Sequence, residues 1–145
     1  MSSEIKNIVI IDDENDILTM LERYLSRDGG YKVRTFNNPL TAISSLPKET
    51  DLILLDIMMP QMNGLDALPK LLEISPKTKV LMMTAYSTLD KVLNAHRHGA
   101  TDYVMKPFSS LDALGKKIKE VLKKYLWFQM RYQFFLLRIM EQYEF

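Results

Sequence analysis

Four short apolar runs in this chain are continuous rather than alternating: residues 8–11, 52–55, 80–83 and 103–105. A strand with one wet face alternates apolar and polar residues, whereas a strand buried on both faces does not. The runs therefore predict strands of a parallel sheet covered by helices. Each run also ends in a chemically capable side chain. Asp12 and Asp13 follow the first, Asp56 the second, Thr84 the third and Lys106 the fourth. Parallel strands bring those ends to one edge, so three carboxylates, a hydroxyl and an ammonium converge there.

The segments between the runs carry helical spacing. Ile17, Leu18, Leu21, Tyr24 and Leu25 form one stripe, which Asp28-Gly29-Gly30 ends before an edge strand over residues 31–36. Pro39 starts a short helix through Leu46. Pro60-Gln61-Met62-Asn63-Gly64 is a turn cluster leading into a helix through Leu72, where Pro69 must occupy the first turn or kink the helix. Residues 87–98 read as a helix capped by Gly99, and Ser109 begins the last helix. Alternating strands and helices predict an α/β fold with a doubly wound, five-stranded parallel sheet. The flavodoxin-like strand order 2-1-3-4-5 reverses between the first and third strands, where such sheets bind ligands. Asp12, Asp13 and Asp56 end those two strands.

Composition narrows the classes. The 145 residues suit a single domain, and a net charge of +1 creates no global pull toward nucleic acid or anionic membrane. There is no cysteine, which excludes disulfides and thiolate metal sites and is compatible with the cytoplasm, the expected location. The first seven residues lack a signal-peptide pattern, and no run reaches the ~20 apolar residues of a membrane span.

Crowded carboxylates stay ionised only when something compensates them. Magnesium takes oxygen ligands, commonly one or two carboxylates plus phosphate oxygens, and Asp13, Asp56 and the Met58 carbonyl suit it. Asp56, central among the acids, is the candidate phosphoryl acceptor. Lys106, the Thr84 hydroxyl and the Ala85 amide are candidate donors to phosphoryl oxygens. The competing reading is that an acid after a strand only caps the next helix. His96 and His98 lie two apart, on different helix faces, and read as packing and surface residues.

Asp12-Asp13, the segment from Asp56 through Met58, Pro60 and Asn63 to Gly64, Thr84-Ala85 and Lys106-Pro107-Phe108 together resemble the receiver domain of two-component response regulators, over residues 5–124. The resemblance implies a phosphoaspartate at Asp56 and magnesium on Asp13 and Asp56, with Asp12 nearby. It implies phosphoryl contacts from Thr84 and Lys106 and a cis bond before Pro107. It also implies a switch, not an enzyme, in which Thr84 moves toward the phosphoryl group and Tyr103 turns inward. The implied partners are a histidine kinase or phosphotransfer protein and a downstream protein target. Met58 and Tyr86, two residues beyond Asp56 and Thr84, are bulky, so slow self-dephosphorylation is expected.

Residues 1–124 are thus expected to form the receiver and residues 125–145 an apolar extension of its last helix. Fourteen of those 21 residues are apolar or aromatic, including eight of the chain's fourteen aromatics. Leu114, Ile118, Val121, Tyr125, Phe128, Tyr132, Phe135 and Ile139 follow heptad spacing. Three readings stand: a homodimer through the extended helix, a partner-docking or interfacial helix, or a linker or added sequence. Direct DNA binding is not expected. Rival functions are a flavin carrier, disfavoured by Asp12-Asp13-Glu14 where a phosphate loop would sit, an aspartate-nucleophile phosphatase, and a constitutive scaffold.

Overall fold

A computed structural model of the chain describes residues 5–27, 30–85 and 94–123. Strands β1 (Lys6–Ile11), β2 (Tyr31–Phe36), β3 (Leu52–Asp56), β4 (Lys79–Thr84) and β5 (Asp102–Met105) form one parallel sheet in the order β2-β1-β3-β4-β5. Helices α1 (Asn15–Ser26), α2 (Pro39–Ser45), α3 (Gly64–Ile74) and α4 (Leu111–Lys123) complete the described elements, with a further helical stretch at residues 94–97. The sheet class and strand order expected from the continuous apolar runs are those observed.

Burial explains those runs. Every residue of β3 and β4 is buried, and the sheet has an apolar layer on each face. One layer joins Val9, Ile53 and Met82 to Leu68 and Leu71 of α3. The other joins Ile8, Leu54 and Leu81 to Leu21 of α1 and Ile118 of α4. Successive strand residues point to opposite faces, so a central strand needs apolar side chains at every position.

The helix ends follow local rules. Asn38 and Asn63 accept the Leu40 and Leu65 amides, and Pro39 fills the first turn of α2, where its missing N–H is harmless. Ser110 Oγ accepts the Ala113 amide, so α4 starts at Leu111 rather than at Ser109. The helical stretch before β5 ends at Gly99, with φ +102°. There the Gly99 and Ala100 amides donate back to His96 and Ala95 carbonyls. Pro69 lies in the second turn of α3 rather than the first, and removes the bond its N–H would give Leu65; the helix runs on to Ile74. Asp28, Gly29, Tyr86, the stretch 87–93 and the segment 125–145 lie outside the described residues.

At the opposite pole from the strand ends, Lys79 is buried and its Nζ donates to the Leu122 carbonyl at 3.1 Å. Burial first, then the charge of Lys6, holds this ammonium below the ordinary lysine value, against the pull of Asp51. An ammonium on a last-turn carbonyl satisfies a group the helix itself leaves open and complements its dipole.

Candidate functional site

Register builds the site. Ile11 pairs with Leu55, so the next residues, Asp12 and Asp56, leave adjacent strands side by side. Asp56 pairs with Met83, one residue before Thr84, and Thr84 pairs with Met105, one before Lys106. The Lys106 amide donates to the Thr84 carbonyl at 2.7 Å, tying the last two candidates together through the backbone. The Lys106–Pro107 peptide bond is cis.

Oxygens of Asp12, Asp13 and Asp56 all lie within 4.8 Å of one another. Asp12 and Asp56 are buried, while Asp13 is partly exposed. The Lys106 ammonium stands 2.5 Å from Asp12 Oδ2, 3.3 Å from Asp56 Oδ1 and 3.6 Å from Glu14 Oε1. Asp12 Oδ1 accepts the Glu14 amide at 2.9 Å. Both Asp12 oxygens are therefore engaged, and Asp13 and Asp56 carry the more available ligand atoms. The N-cap of α1 is Glu14, with no side-chain capping bond, so neither Asp12 nor Asp13 serves as that cap.

Electrostatics make the nest cation-hungry. Burial pushes the Asp56 carboxyl up to about 7, the Asp12 charge adds to this, and Lys106 opposes it. Burial pulls the Lys106 ammonium down, but its hydrogen bond to Asp12 and the charges of Asp56 and Asp12 outweigh that and hold it above the ordinary value. One ammonium faces three carboxylates. A hard divalent cation fits this donor set: oxygen ligands only, partly open to water, with excess negative charge.

The residues named from sequence do not all gather at the carboxylates. Tyr103 pairs with Met82 inside β5 and packs against the α3-side layer, with Lys117 Nζ 5.5 Å from its ring centre. The Met58 side chain is exposed to 55%. His96 is half-buried, with Nδ1 3.2 Å from the Ala100 carbonyl, and His98 is exposed. Neither histidine belongs to the acidic group found among the described residues.

Two residues escaped the sequence reading. Glu14 reaches Lys106, a contact that no motif signals. Gly64 packs on the acceptor strand: its amide donates to the Ile57 carbonyl at 2.8 Å, and an added β-carbon would stand 2.0 Å from the Asp56 carbonyl oxygen. The sequence showed a turn glycine there but not what the turn approaches.

A doubly wound sheet with an acid nest and a lysine at its switch point defines a receiver-type domain. The chain belongs to the response regulator receiver domain family, whose model matches residues 8–119. It is 37% identical over 123 residues to the transcriptional regulatory protein ZraR of Klebsiella oxytoca, covering 84% of this chain and 27% of that protein. The chain thus spans about a quarter of that relative's length. Among solved structures, a CheY-like receiver domain protein from Methanospirillum hungatei JF-1 matches with TM-score 0.74 and 33% identity, over 83% of this chain and 96% of that one. A response regulator from Burkholderia pseudomallei, crystallised with a phosphorylated aspartic acid, a calcium ion and citrate, matches with TM-score 0.71 and 26% identity, over 87% and 72%. Among the described residues no helix is long and apolar enough to cross a membrane.

Proposed function

We propose that this receiver domain is a phosphorylation switch that takes a phosphoryl group onto Asp56 from a histidine kinase or phosphotransfer protein. The observation that carries the reading is the cluster of Asp12, Asp13 and Asp56 oxygens within 4.8 Å, flanked by Lys106. The phosphorylated aspartic acid of the Burkholderia pseudomallei protein supports it.

Magnesium would be held by Asp13 and Asp56, with Asp12 and the Met58 carbonyl beside it, and would supply charge neutralisation for the phosphoryl oxygens. An Asp56 carboxylate oxygen forms the new P–O bond as the P–N bond of a phosphohistidine breaks. The electron pair passes to the imidazole nitrogen, which takes a proton from water. Lys106, already poised between Asp12 and Asp56, shifts its ammonium onto a phosphoryl oxygen. Thr84 donates its hydroxyl to another and the Ala85 amide to a third. No general base is required, because the acceptor reacts as a carboxylate.

Movement of Thr84 draws Tyr103 inward and alters the face formed by β5 and α4, which a downstream protein reads. The receiver boundaries on this reading are residues 1–124, and no DNA contact is assigned to it. The residues two beyond Asp56 and Thr84, Met58 and Tyr86, are both bulky, so a long-lived phosphorylated state is expected. Met58→Asn is expected to hasten its loss.

Incubation with a small phosphodonor and magnesium, followed by intact mass, tests the proposal. The parent gains one phosphoryl group, and Asp56→Asn or omission of magnesium gives none. Equal labelling of Asp56→Asn would sink it.

A further inference from the structure

We propose that Glu14 is a specificity residue for the phosphodonor: its carboxylate disfavours dianionic acyl phosphates and leaves phosphoramidates, the class to which phosphohistidine belongs, as the preferred donors. The assignment rests on the switch reading above and adds a selectivity to it. Three carboxylates stand around the Lys106 ammonium. Asp12 and Asp56 are buried, whereas the Glu14 side chain is 61% exposed and approaches Lys106 Nζ to 3.6 Å. Glu14 is thus the negative charge on the solvent side of the lysine, the side from which a donor must arrive.

Local structure holds Glu14 there without using its side chain for the fold. Its amide donates to Asp12 Oδ1 at 2.9 Å, which fixes its main chain against the acid nest. It occupies the N-cap of α1, yet its side chain makes no capping bond. An exposed ion pair of this kind adds little to stability. Replacing the carboxylate by an amide therefore removes a charge from the rim and leaves the helix start as it was.

Distance sets the size of the effect. A phosphoryl oxygen that takes a bond of about 2.8 Å from Lys106 lies no more than about 6.5 Å from the Glu14 oxygen. Over that separation, repulsion in a water-like surrounding amounts to about threefold in rate per unit of charge. Near neutral pH an acyl phosphate is a dianion, whereas a phosphoramidate carries a protonated nitrogen and is a net monoanion. Either donor gives Asp56 the same new P–O bond. With acetyl phosphate the P–O bond to acetate breaks, and acetate leaves with the electron pair. With phosphoramidate the P–N bond breaks, and ammonia leaves with the pair and the protons already on nitrogen. Glu14 takes no part in either step; it acts on the charge of what approaches.

Labelling rates of the full chain with acetyl phosphate and with phosphoramidate, each in saturating magnesium, are followed by intact mass. The readout is the ratio of the two rates, from which any effect common to both donors cancels. Glu14→Gln should raise the acetyl phosphate to phosphoramidate ratio about threefold at low salt. The gain should vanish at about 1 M salt, where the screening length falls to about 3 Å. Glu14→Asp, which keeps the charge, should hold the ratio near that of the parent. So should Glu22→Gln, which removes the same charge from an exposed position about 12 Å further along α1. An unchanged ratio in Glu14→Gln overturns the proposal, as does a gain that survives high salt or is matched by Glu22→Gln. Equal acceleration by both donors overturns it too, assigning Glu14 to restraint of Lys106 instead. A parent labelled by neither donor overturns the switch reading and this assignment with it; a labelled parent with an indifferent ratio overturns this assignment alone.

Discussion

Gly64 leaves no room for a side chain against Asp56: a β-carbon there would stand 2.0 Å from the Asp56 carbonyl oxygen and 2.9 Å from the carbonyl carbon. The obstacle is backbone, which cannot rotate aside. Gly64→Ala must therefore move the acceptor strand or the start of α3. Overpacking of this kind costs about 1–3 kcal/mol. We expect a lowered denaturant midpoint and a larger loss of magnesium-dependent labelling than that stability change alone would give.

Among the described residues, the Lys106 ammonium is the cation paired with Asp12, Asp56 and Glu14. Lys106→Ala strands the buried Asp12, and breaking a buried ion pair costs on the order of 3 kcal/mol. Part of that is relieved if Asp56 takes up a proton. The loss should therefore be smaller below pH 6 than at pH 8, and millimolar magnesium should restore part of it at pH 8. Urea titrations at both pH values, with and without the cation, measure this. A loss equal under all four conditions would exclude the charge explanation.

The raised Asp56 carboxyl makes a separate pH prediction. Its folded value, about 7, lies above the ordinary value of 3.8. Such a group stabilises the fold fully below the ordinary value and loses that contribution as pH rises through about 7. Without divalent cations, the parent should lose stability between pH 5 and 8 relative to Asp56→Asn. Saturating magnesium should remove most of the difference. Thermal melts of both proteins across that range provide the check.

Gly115 sits inside α4 facing Tyr24 of α1, where a β-carbon would lie 3.1 Å from the Tyr24 hydroxyl. That hydroxyl donates to Asp112 at 2.8 Å, which fixes its position. Alanine gains about 1 kcal/mol over glycine in a helix interior. In the parent, the contact should cancel much of this. In a Tyr24→Phe background, Gly115→Ala should stabilise by roughly the full amount, read from paired denaturant curves.

The sheet and its reactive edge were legible because two-sided burial leaves a continuous apolar signature. Ile8 to Ile11 and Leu52 to Leu55 could be little else, and parallel pairing then carried Asp12, Asp56, Thr84 and Lys106 to one side. Contacts across the chain left no such trace. Gly64 looked like any turn glycine, since its reason lies in the main chain of Asp56. Lys79, for which no sequence motif speaks, is buried against the end of a helix 43 residues away. Of the two places open to Pro69, the first turn is excluded: it stands mid-helix against local propensity, while Ala67, Leu68 and Leu71 hold that helix by burial on the sheet. The last helix starts two residues after the expected Ser109, as serine alone does not say whether it caps, enters or precedes a helix.

One strand links the two poles of the molecule. β4 carries Thr84 at one end and Lys79 at the other, and all six of its residues are buried. At about 3.3 Å per residue, these ends lie roughly 17 Å apart. Clamped between β3 and β5, the strand has little freedom to bend and behaves as a stiff rod. The same strand thus ends at the rim beside Asp56 and begins at the ammonium that holds the Leu122 carbonyl in the final turn of α4.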